Sequence, residues 1–334
     1  MKKTFRIACL LLGILLIFTA CRPKVESTAK KYEKDHYLYL VAGLDDAAKN
    51  TDVLFTLSYD ANAHVTRIAQ IPRDTYFGFG NAQNKINQFY ATKISAGSDK
   101  MDAFDAFARE LEVNFGTKFD GYIGISTSVF RKLVDTLGGL DIELEEDMVI
   151  SLDSDSKEIL LKKGRNHIDG EYAERFVRYR SGYAMGDLGR IDAQKIFLNA
   201  LFSKIAKGLT LPSLIEIAKI IQEEAITNIG LSKVINLVFD AISEKCDKTT
   251  YYATLPGEPA QNANGVSYYV LNRKSTAEMI KNYMFSYEEF DARRMFLNSA
   301  DTAFVNIYED DSIKLREYTG KTLSGMHIKA NNLN

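Results

Sequence analysis

The chain has 334 residues, of which 46% are hydrophobic and 26% charged, and its formal net charge is −2. This length and composition predict a globular protein with one large domain or two small ones. The near-neutral charge argues against a general nucleic-acid-binding protein, which would carry a basic face, so we expect no nucleic-acid partner.

The first 21 residues have the pattern of an export signal. Three Lys or Arg residues within the first six precede an uncharged apolar run over residues 7–20, as in a signal peptide. The run ends in Phe-Thr-Ala-Cys, which resembles a bacterial lipobox and makes Cys21 the expected lipidation site. A single-pass signal anchor is the alternative, although a helix of this length spans about 21 Å, short of a ~30 Å hydrocarbon core. Either interpretation tethers the body outside the membrane through a polar linker, residues 22–35.

Short apolar runs alternate with segments of helical periodicity along the rest of the chain. The apolar runs predict strands at residues 37–44, 52–59, 64–71, 121–125, 140–144, 251–255 and 266–271. The helical spacing predicts helices at residues 102–111, 128–137, 170–177, 188–207, 211–225, 231–243 and 275–285. This alternation predicts a layered α/β domain. No internal linker interrupts it, so we expect one domain over residues 36–286, followed by a C-terminal extension, 287–334, of unknown role.

Carboxylates stand at the adjoining ends of the first two predicted strands. Asp45 and Asp46 follow the first strand, and Asp52 opens the second. Paired carboxylates can hold Mg²⁺, which prefers oxygen ligands and shares them with substrate phosphates. The alternative is a set of solvated loop aspartates.

A second candidate group follows the third predicted strand. Pro72 ends that strand, and Arg73 and Asp74 come directly after it, with Lys85 further along. A surface arginine in a salt bridge is the alternative for Arg73, and Lys85 is similarly ambiguous.

The densest basic segment runs from Arg175 to Gln194. Between Lys162 and Arg190, seven Lys or Arg residues stand against four Asp or Glu residues. A glycine-rich turn leads into a helix for which Asp187 is the predicted N-cap. Guanidinium groups beside a helix N-terminus suit phosphate or pyrophosphate. The alternative is an amphipathic helix with a solvated basic end.

Spacing predicts how the side chains of this segment point. Arg178 and Arg180 are two residues apart, so in an extended segment they would point to the same side. Arg190 and Gln194 are four apart and share one helix face. Several arginines so close together would repel one another unless an anion were bound, and each charge-assisted hydrogen bond to phosphate is worth roughly 1.5–3 kcal/mol.

These motifs occur in an order that resembles the LytR-CpsA-Psr family. The opening motifs are Gly43-Leu44-Asp45, Thr51-Asp52, residues 71–76 (IPRDTY) and Lys85-Ile86-Asn87. The later motifs are residues 133–141 (LVDTLGGLD), Asp169-Gly170, residues 177–180 (VRYR), residues 186–190 (GDLGR), residues 254–257 (TLPG) and residues 265–270 (GVSYYV). The resemblance covers about residues 37–285. Asn50 and Ala193 depart from it, since both stand where arginine is common.

The resemblance implies a fold and an activity. The expected fold is a layered α/β sandwich with a central mixed sheet flanked by helices and an apolar lipid pocket. The expected activity belongs to the extracellular face of a Gram-positive cell membrane. There, a phosphotransferase takes a glycopolymer from a polyprenyl-pyrophosphate carrier and attaches it to peptidoglycan through a phosphodiester. Hydrolysis of the same pyrophosphate, or a non-catalytic envelope-binding or regulatory role, are the alternatives.

The resemblance also implies roles for the candidate residues. Asp45 and Asp52 would hold Mg²⁺, with Mn²⁺ as the alternative metal, and Arg73 and Asp74 would be catalytic. Five residues would bind the pyrophosphate, namely Lys85, Arg178, Arg180, Arg190 and Gln194. Arg175 lies off the family pattern, and we predict a structural role for it.

Overall fold

Seven strands form one mixed sheet in the part of the chain that the computed structural model describes. The described residues are 35–45, 50–63, 65–77, 85–151, 158–184, 186–230, 232–233, 249–285, 304–319 and 323. In sheet order the strands are β13 (Glu317–Thr319), β10 (Thr249–Thr254), β3 (Val65–Gln70), β2 (Thr51–Asp60), β1 (His36–Leu44), β4 (Gly121–Ile125) and β9 (Ile226–Thr227). β1 and β4 are parallel, as are β3 and β10, whereas the other neighbours are antiparallel.

Three smaller ladders and a set of helices surround this sheet. The ladders are β5 (Leu140–Leu144) with β8 (Gly164–Ile168), β6 (Met148–Ser151) with β7 (Glu158–Leu161), and β11 (Gly257–Gln261) with β12 (Ser267–Leu271). The described helices are α1 (Phe89–Ser95), α2 (Lys100–Phe115), α3 (Thr127–Thr136), α4 (Gly170–Arg178), α5 (Asp187–Ala206), α6 (Leu211–Glu224), α7 (Arg273–Tyr283) and α8 (Val305–Tyr308). None of them is both long and apolar enough to cross a membrane. The helix predicted at residues 231–243 lies outside the described residues, apart from 232–233.

The two faces of the sheet are covered by separate hydrophobic cores. On one face, Leu40 of β1 is buried in a cluster with Phe107 of α2. On the other face, Ile68 of β3 is buried in a cluster with Phe176 of α4. Because successive strand residues point to opposite faces, the sheet is the middle of three layers. The predicted α/β sandwich with a central mixed sheet is confirmed.

Side-chain caps fix where most of these helices begin. The capping residue accepts a hydrogen bond from a backbone N–H of the first turn, which would otherwise lack a partner. Such caps are Asp99 for α2, Ser126 for α3, Asp169 for α4, Thr210 for α6 and Asn272 for α7. The start of each of these helices is therefore set locally by its own sequence.

Residues 304–319, for which no element was predicted, complete one core and one edge of the sheet. Phe304 and Tyr308 are buried in the same cluster as Leu40. β13 adds to the sheet by pairing antiparallel with β10. The described residues from His36 onward belong to one compact unit.

Candidate active site

Asp52 lies at a break in the strand pairing. β1 and β2 pair in regular register as far as Gly43 and Val53, after which Leu44 pairs with Thr51. Asp52 is therefore an extra residue, a β-bulge, and a bulge turns its side chain out of the regular alternation. Its carboxylate is half-buried. The bulge sets the direction of this carboxylate.

Asp45 lies directly after β1, in a turn closed by Asn50. The Asp45 N–H donates to the Asn50 carbonyl at 3.0 Å, and Asn50 Nδ2 donates to Asp45 Oδ2 at 2.8 Å. The family resemblance leads one to expect an arginine at position 50. The side-chain amide of Asn50 supplies a hydrogen bond there without a positive charge. Asp46 lies outside the described residues.

Arg73 is surrounded by three carboxylates. Its Nη1 donates to Asp52 Oδ1 at 2.7 Å, and its Nε lies 3.8 Å from Asp74 Oδ2 and 3.9 Å from Asp187 Oδ1. Burial lowers the pKa of the guanidinium, but Asp52, Asp187 and Asp74 outweigh burial and hold the pKa above its ordinary value. Arg73 is therefore a permanent cation and cannot serve as a base.

The turn before α5 depends on two glycines. Gly186, at φ +55° and ψ −114°, occupies a conformation that only glycine adopts readily. A Cβ on Gly189 would lie 2.3 Å from the Tyr183 Cβ, so the close approach of this turn to the helix also requires glycine. α5 begins at Asp187, and its N-cap is Gly186, with no side-chain cap. The prediction of Asp187 as N-cap is wrong, because its carboxylate faces Arg190 and Arg73 instead.

Arg190 is buried in the first turn of α5. It is 5% exposed, and its Nη2 lies 2.8 Å from Asp187 Oδ1. Burial lowers the pKa of Arg190, and the charges of Arg73 and Arg180 lower it further against the opposite effect of Asp187 and Asp52. The Nε atoms of Arg190 and Arg73 are both buried and make no hydrogen bond to any described residue. These two N–H groups are donors that an anion could satisfy.

Lys85 and Asp74 form the next part of the cluster. Lys85 Nζ donates to Asp74 Oδ1 at 3.0 Å and lies 5.8 Å from the centre of the Tyr268 ring. The Lys85 side chain is 15% exposed and that of Asp74 is 29% exposed. Asp74 therefore presents a carboxylate to solvent beside Arg73.

Gln194 is held by its own protein neighbours. Its Nε2 donates to the Val177 carbonyl, and its Oε1 accepts from Gln70 Nε2, both at 3.2 Å. The Val177 carbonyl can only accept, so it fixes the orientation of both amides. Gln70, at the end of β3, is 2% exposed, and no sequence motif singled it out.

Arg178 and Arg180 do not share an extended segment as predicted. α4 continues through Arg178, whose Nη1 donates to Glu174 Oε1 at 2.6 Å. Arg180 is exposed and close enough to Arg190 to lower its pKa. Arg175 is buried and pairs with Glu171 one turn away at 3.5 Å.

The charges of the cluster balance one another. Three carboxylates and three cations contact one another in pairs, namely Asp52, Asp74 and Asp187 with Arg73, Arg190 and Lys85. Arg73 and Arg180 still lower the pKa of Arg190, while Asp187 and Asp52 oppose that effect. The protein's own carboxylates lie between the cations.

Half-buried apolar side chains lie on β1, β2, α3 and α5, and β2 and α5 also carry Asp52 and Arg190. In a sheet covered on both faces, side chains of the central strands should be fully buried, as Leu40 is. Among the apolar side chains that are only partly buried against the second core are Val41, Val53, Leu57, Phe130 and Ile196. We call these five residues the apolar surface.

The predicted metal site and the predicted lipidation site remain predictions. Among the described residues, no group of three or more His, Cys, Asp or Glu side chains could hold a metal ion by itself. Cys21, the predicted lipidation site, lies outside the described residues.

The whole arrangement falls within a region that matches a known family. Residues 19–284 match the model of the LytR_cpsA_psr family, and this range includes every candidate residue described above. The chain belongs to the LytR-CpsA-Psr family.

Curated relatives in this family are teichoic acid transferases by name. The chain is 28% identical over 211 residues to the polyisoprenyl-teichoic acid–peptidoglycan teichoic acid transferase TagV of Bacillus subtilis, an alignment covering 60% of this chain and 52% of TagV. The chain thus spans about half the length of that relative. With the transferase TagU of Oceanobacillus iheyensis it is 25% identical over 244 residues, which cover 72% of each protein.

Solved structures share the fold of this chain. The crystal structure of B. subtilis TagV superposes with a TM-score of 0.61 at 23% identity, over 76% of this chain and 98% of that one. A Streptococcus agalactiae protein, gbs0355, superposes with a TM-score of 0.63 at 20% identity, over 75% of this chain and 88% of that one. The sandwich described above is therefore the fold of the LytR-CpsA-Psr family.

Proposed function

We propose that this chain is a membrane-tethered phosphotransferase that moves a glycopolymer from a polyprenyl-pyrophosphate carrier onto peptidoglycan. The observation that carries the proposal is the placement of charged side chains and apolar surface on the same elements. β2 contributes Asp52 and then Val53, and α5 contributes Arg190 and then Ile196. A prenyl pyrophosphate has the same division, because its anionic head needs charged donors and its chain needs apolar surface.

The family relationship supports this proposal. TagV and TagU are named as transferases that join polyisoprenyl-linked teichoic acid to peptidoglycan. A solved structure of TagT bound to LI-WTA shares the fold with a TM-score of 0.61. The tether would be the N-terminal segment, lipidated at Cys21 or left as a signal anchor, which places the site near a lipid-bound donor on the outer face of the membrane.

The proposed reaction is a phosphoryl transfer. A hydroxyl oxygen of the acceptor attacks the phosphorus that carries the sugar, the phosphoanhydride bond breaks, and polyprenyl monophosphate leaves. The hydroxyl proton passes to the Asp74 carboxylate, and the product is a phosphodiester. Such a reaction needs positioning and charge stabilisation more than covalent help from the protein, and Arg73 and Arg190 supply fixed positive charge.

The proposed mechanism includes a divalent cation because the charges of the cluster already balance one another. A pyrophosphate would add two or more negative charges to a cluster that is already neutral, and Mg²⁺ or Mn²⁺ would offset them. Asp45 and Asp52 would hold the metal. Asp52 accepts the Arg73 hydrogen bond through Oδ1, so its second oxygen fits the usual mode in which one or two carboxylates share Mg²⁺ with substrate phosphates. The metal would supply charge neutralisation at the phosphates.

Transfer with purified full-length protein tests the proposal. With Mg²⁺, a polyprenyl-pyrophosphate saccharide and peptidoglycan fragments, we expect a phosphodiester-linked product, and we expect chelation of the metal to abolish it. Release of saccharide phosphate with and without acceptor would show hydrolysis instead. Cells in which Asp52→Ala and Arg73→Ala variants keep full function would point to a non-catalytic role.

Substitution of Val41 tests whether the apolar surface holds the prenyl chain. Because Val41 is half-buried, Val41→Phe is expected to fold with little loss of stability and to raise the KM for a long-chain donor about tenfold, but not for a short-chain analogue. Leu40 points to the other face and is fully buried, so Leu40→Phe should cost about 1–3 kcal/mol of stability by overpacking. A Val41→Phe variant as unstable as Leu40→Phe would show that the apolar surface is filled core.

A further inference from the structure

Glu174 is a buried carboxylate that holds arginines from two helices. It lies in α4 and is 2% exposed. Its Oε1 accepts from Arg178 Nη1 at 2.6 Å, and its Oε2 accepts from Nε of Arg131 in α3. Burial of a carboxylate is unfavourable unless charged partners and hydrogen bonds compensate. Both oxygens have such partners, so Glu174 and the two guanidinium groups fix one another.

The packing of α3 against α4 makes this three-residue group possible. A Cβ on Gly170 would lie 2.4 Å from the Arg131 carbonyl oxygen, a contact that no other residue could accommodate without a shift of the backbone. The Gly170 N–H also donates to Asp135 Oδ1 at 2.8 Å. The two helices therefore meet closely enough for Arg131 to reach a carboxylate inside α4.

Glu174 restrains Arg178 at the point where α4 ends. Arg178 is the last residue of the helix, and Tyr179 is extended at φ −61° and ψ 138°. A long side chain at a helix end would otherwise sample many rotamers. The group of one carboxylate and two guanidinium ions keeps a formal charge of +1, so Arg178 is restrained without loss of the net positive charge.

We infer that Glu174 is the positioning residue for Arg178, and through it for the pyrophosphate head group. The inference rests on the proposed function and on the role that the family resemblance implies for Arg178, binding of the pyrophosphate head group. Arg131 keeps the group positively charged. Without it, the Glu174–Arg178 pair would be neutral and would attract an anion less strongly.

The sign of the effect on binding separates positioning from simple electrostatics. Removal of a negative charge near an anion site strengthens anion binding through space, whereas loss of positioning weakens it. We expect Glu174→Gln to raise the Kd for geranylgeranyl pyrophosphate, measured by calorimetry in detergent with Mg²⁺, about tenfold. Glu174→Asp keeps the charge but withdraws it by one methylene, and it should weaken binding too. It also serves as the test variant if Glu174→Gln does not fold.

The matched control is Glu171→Gln. Glu171 is in the same helix and pairs with an arginine four residues on, Arg175, but it lies outside the proposed site. We expect its Kd to stay within twofold of the wild-type value. On an Arg178→Gln background, Glu174→Gln should cause little further loss, because its effect acts through Arg178.

The outcomes of this experiment are distinct from those of the transfer assay. Equal Kd values for Glu174→Gln and Glu171→Gln, tighter binding by Glu174→Gln, or additive losses with Arg178→Gln would each overturn the inference. A wild-type protein that binds the probe but transfers no saccharide would overturn the proposed transferase alone. A wild-type protein that does not bind the probe would overturn both.

Discussion

Replacement of Arg73 by glutamine is expected to lower the kcat for glycopolymer transfer by about 10³-fold. Arg73 is the cation around which Asp52, Asp74 and Asp187 are arranged. Those carboxylates raise its pKa, so the charge is present at every pH at which the protein is folded. Its buried Nε, which makes no hydrogen bond to a described residue, is a donor available to the transition state. Glutamine removes both the charge and the fork of donors.

Two further variants separate the parts of this effect. Arg73→Lys keeps the charge but not the planar fork, and an intermediate loss of about 10–10²-fold is expected. Arg165→Gln breaks an Arg–Asp pair of similar length, 2.8 Å to Asp141, on the exposed β5–β8 ladder, and it should leave kcat unchanged. If Arg73→Gln melts at the wild-type temperature and keeps more than about a tenth of wild-type kcat, Arg73 does not stabilise the transition state.

The central strands and long helices could be predicted because their signals are local. An apolar run such as residues 37–44 requires burial on both faces, and a helix such as α5 repeats its apolar residues over five turns. The observed strand ends agree with the predicted ends to within two residues for β1, β2, β3, β4, β5, β10 and β12. Sequence periodicity suffices where an element buries a large surface.

Short edge strands could not be predicted in the same way. β9 has two residues and β13 has three, and each exists only because it pairs with a strand more than sixty residues away in sequence. The sequence EYT of β13 carries no periodicity of its own. Pairing between distant segments defines such strands, so local patterns cannot reveal them.

The sequence predicted which residues form the charged network better than it predicted which of them contact one another. The sequence motifs identified five charged residues, and the structure places all five in one network of charge interactions: Asp52, Arg73, Asp74, Lys85 and Arg190. The sequence did not show that carboxylates separate the arginines. Asp187 was expected to cap α5, since an aspartate at a helix start usually does so. Its actual role depends on Arg73, which is 114 residues away in the chain and contacts it only in the folded protein.

The largest effect on stability is expected at Asn272. Its side chain joins α7 to residues 304–319, and the residue is 1% exposed. Oδ1 accepts from the Ser275 N–H at 3.0 Å and caps α7. Nδ2 donates to the carbonyls of Ile307 at 3.0 Å and Asp310 at 2.9 Å. Asn272→Ala removes the cap and the two shorter hydrogen bonds to these partly buried carbonyls, which keep only longer bonds from the Asp310 and Ile313 N–H groups, at 3.4 and 3.3 Å. A loss of about 3 kcal/mol in the free energy of unfolding is expected.

The stability of an Asn272→Asp variant shows how much the hydrogen bonds from Nδ2 to the two carbonyls contribute, apart from the cap. Asn272→Asp keeps an oxygen to cap α7, but it places a second oxygen where Nδ2 donated, so it should destabilise the protein at least as much as alanine does. Asp99 caps α2 at the surface, through the Asp102 N–H at 2.9 Å, and Asp99→Ala should cost only about 1 kcal/mol. All three variants would be compared by urea unfolding. If Asn272→Ala costs no more than Asp99→Ala, or if Asn272→Asp is more stable than Asn272→Ala, the carbonyl contacts do not hold residues 304–319 in place, and the cap alone accounts for Asn272.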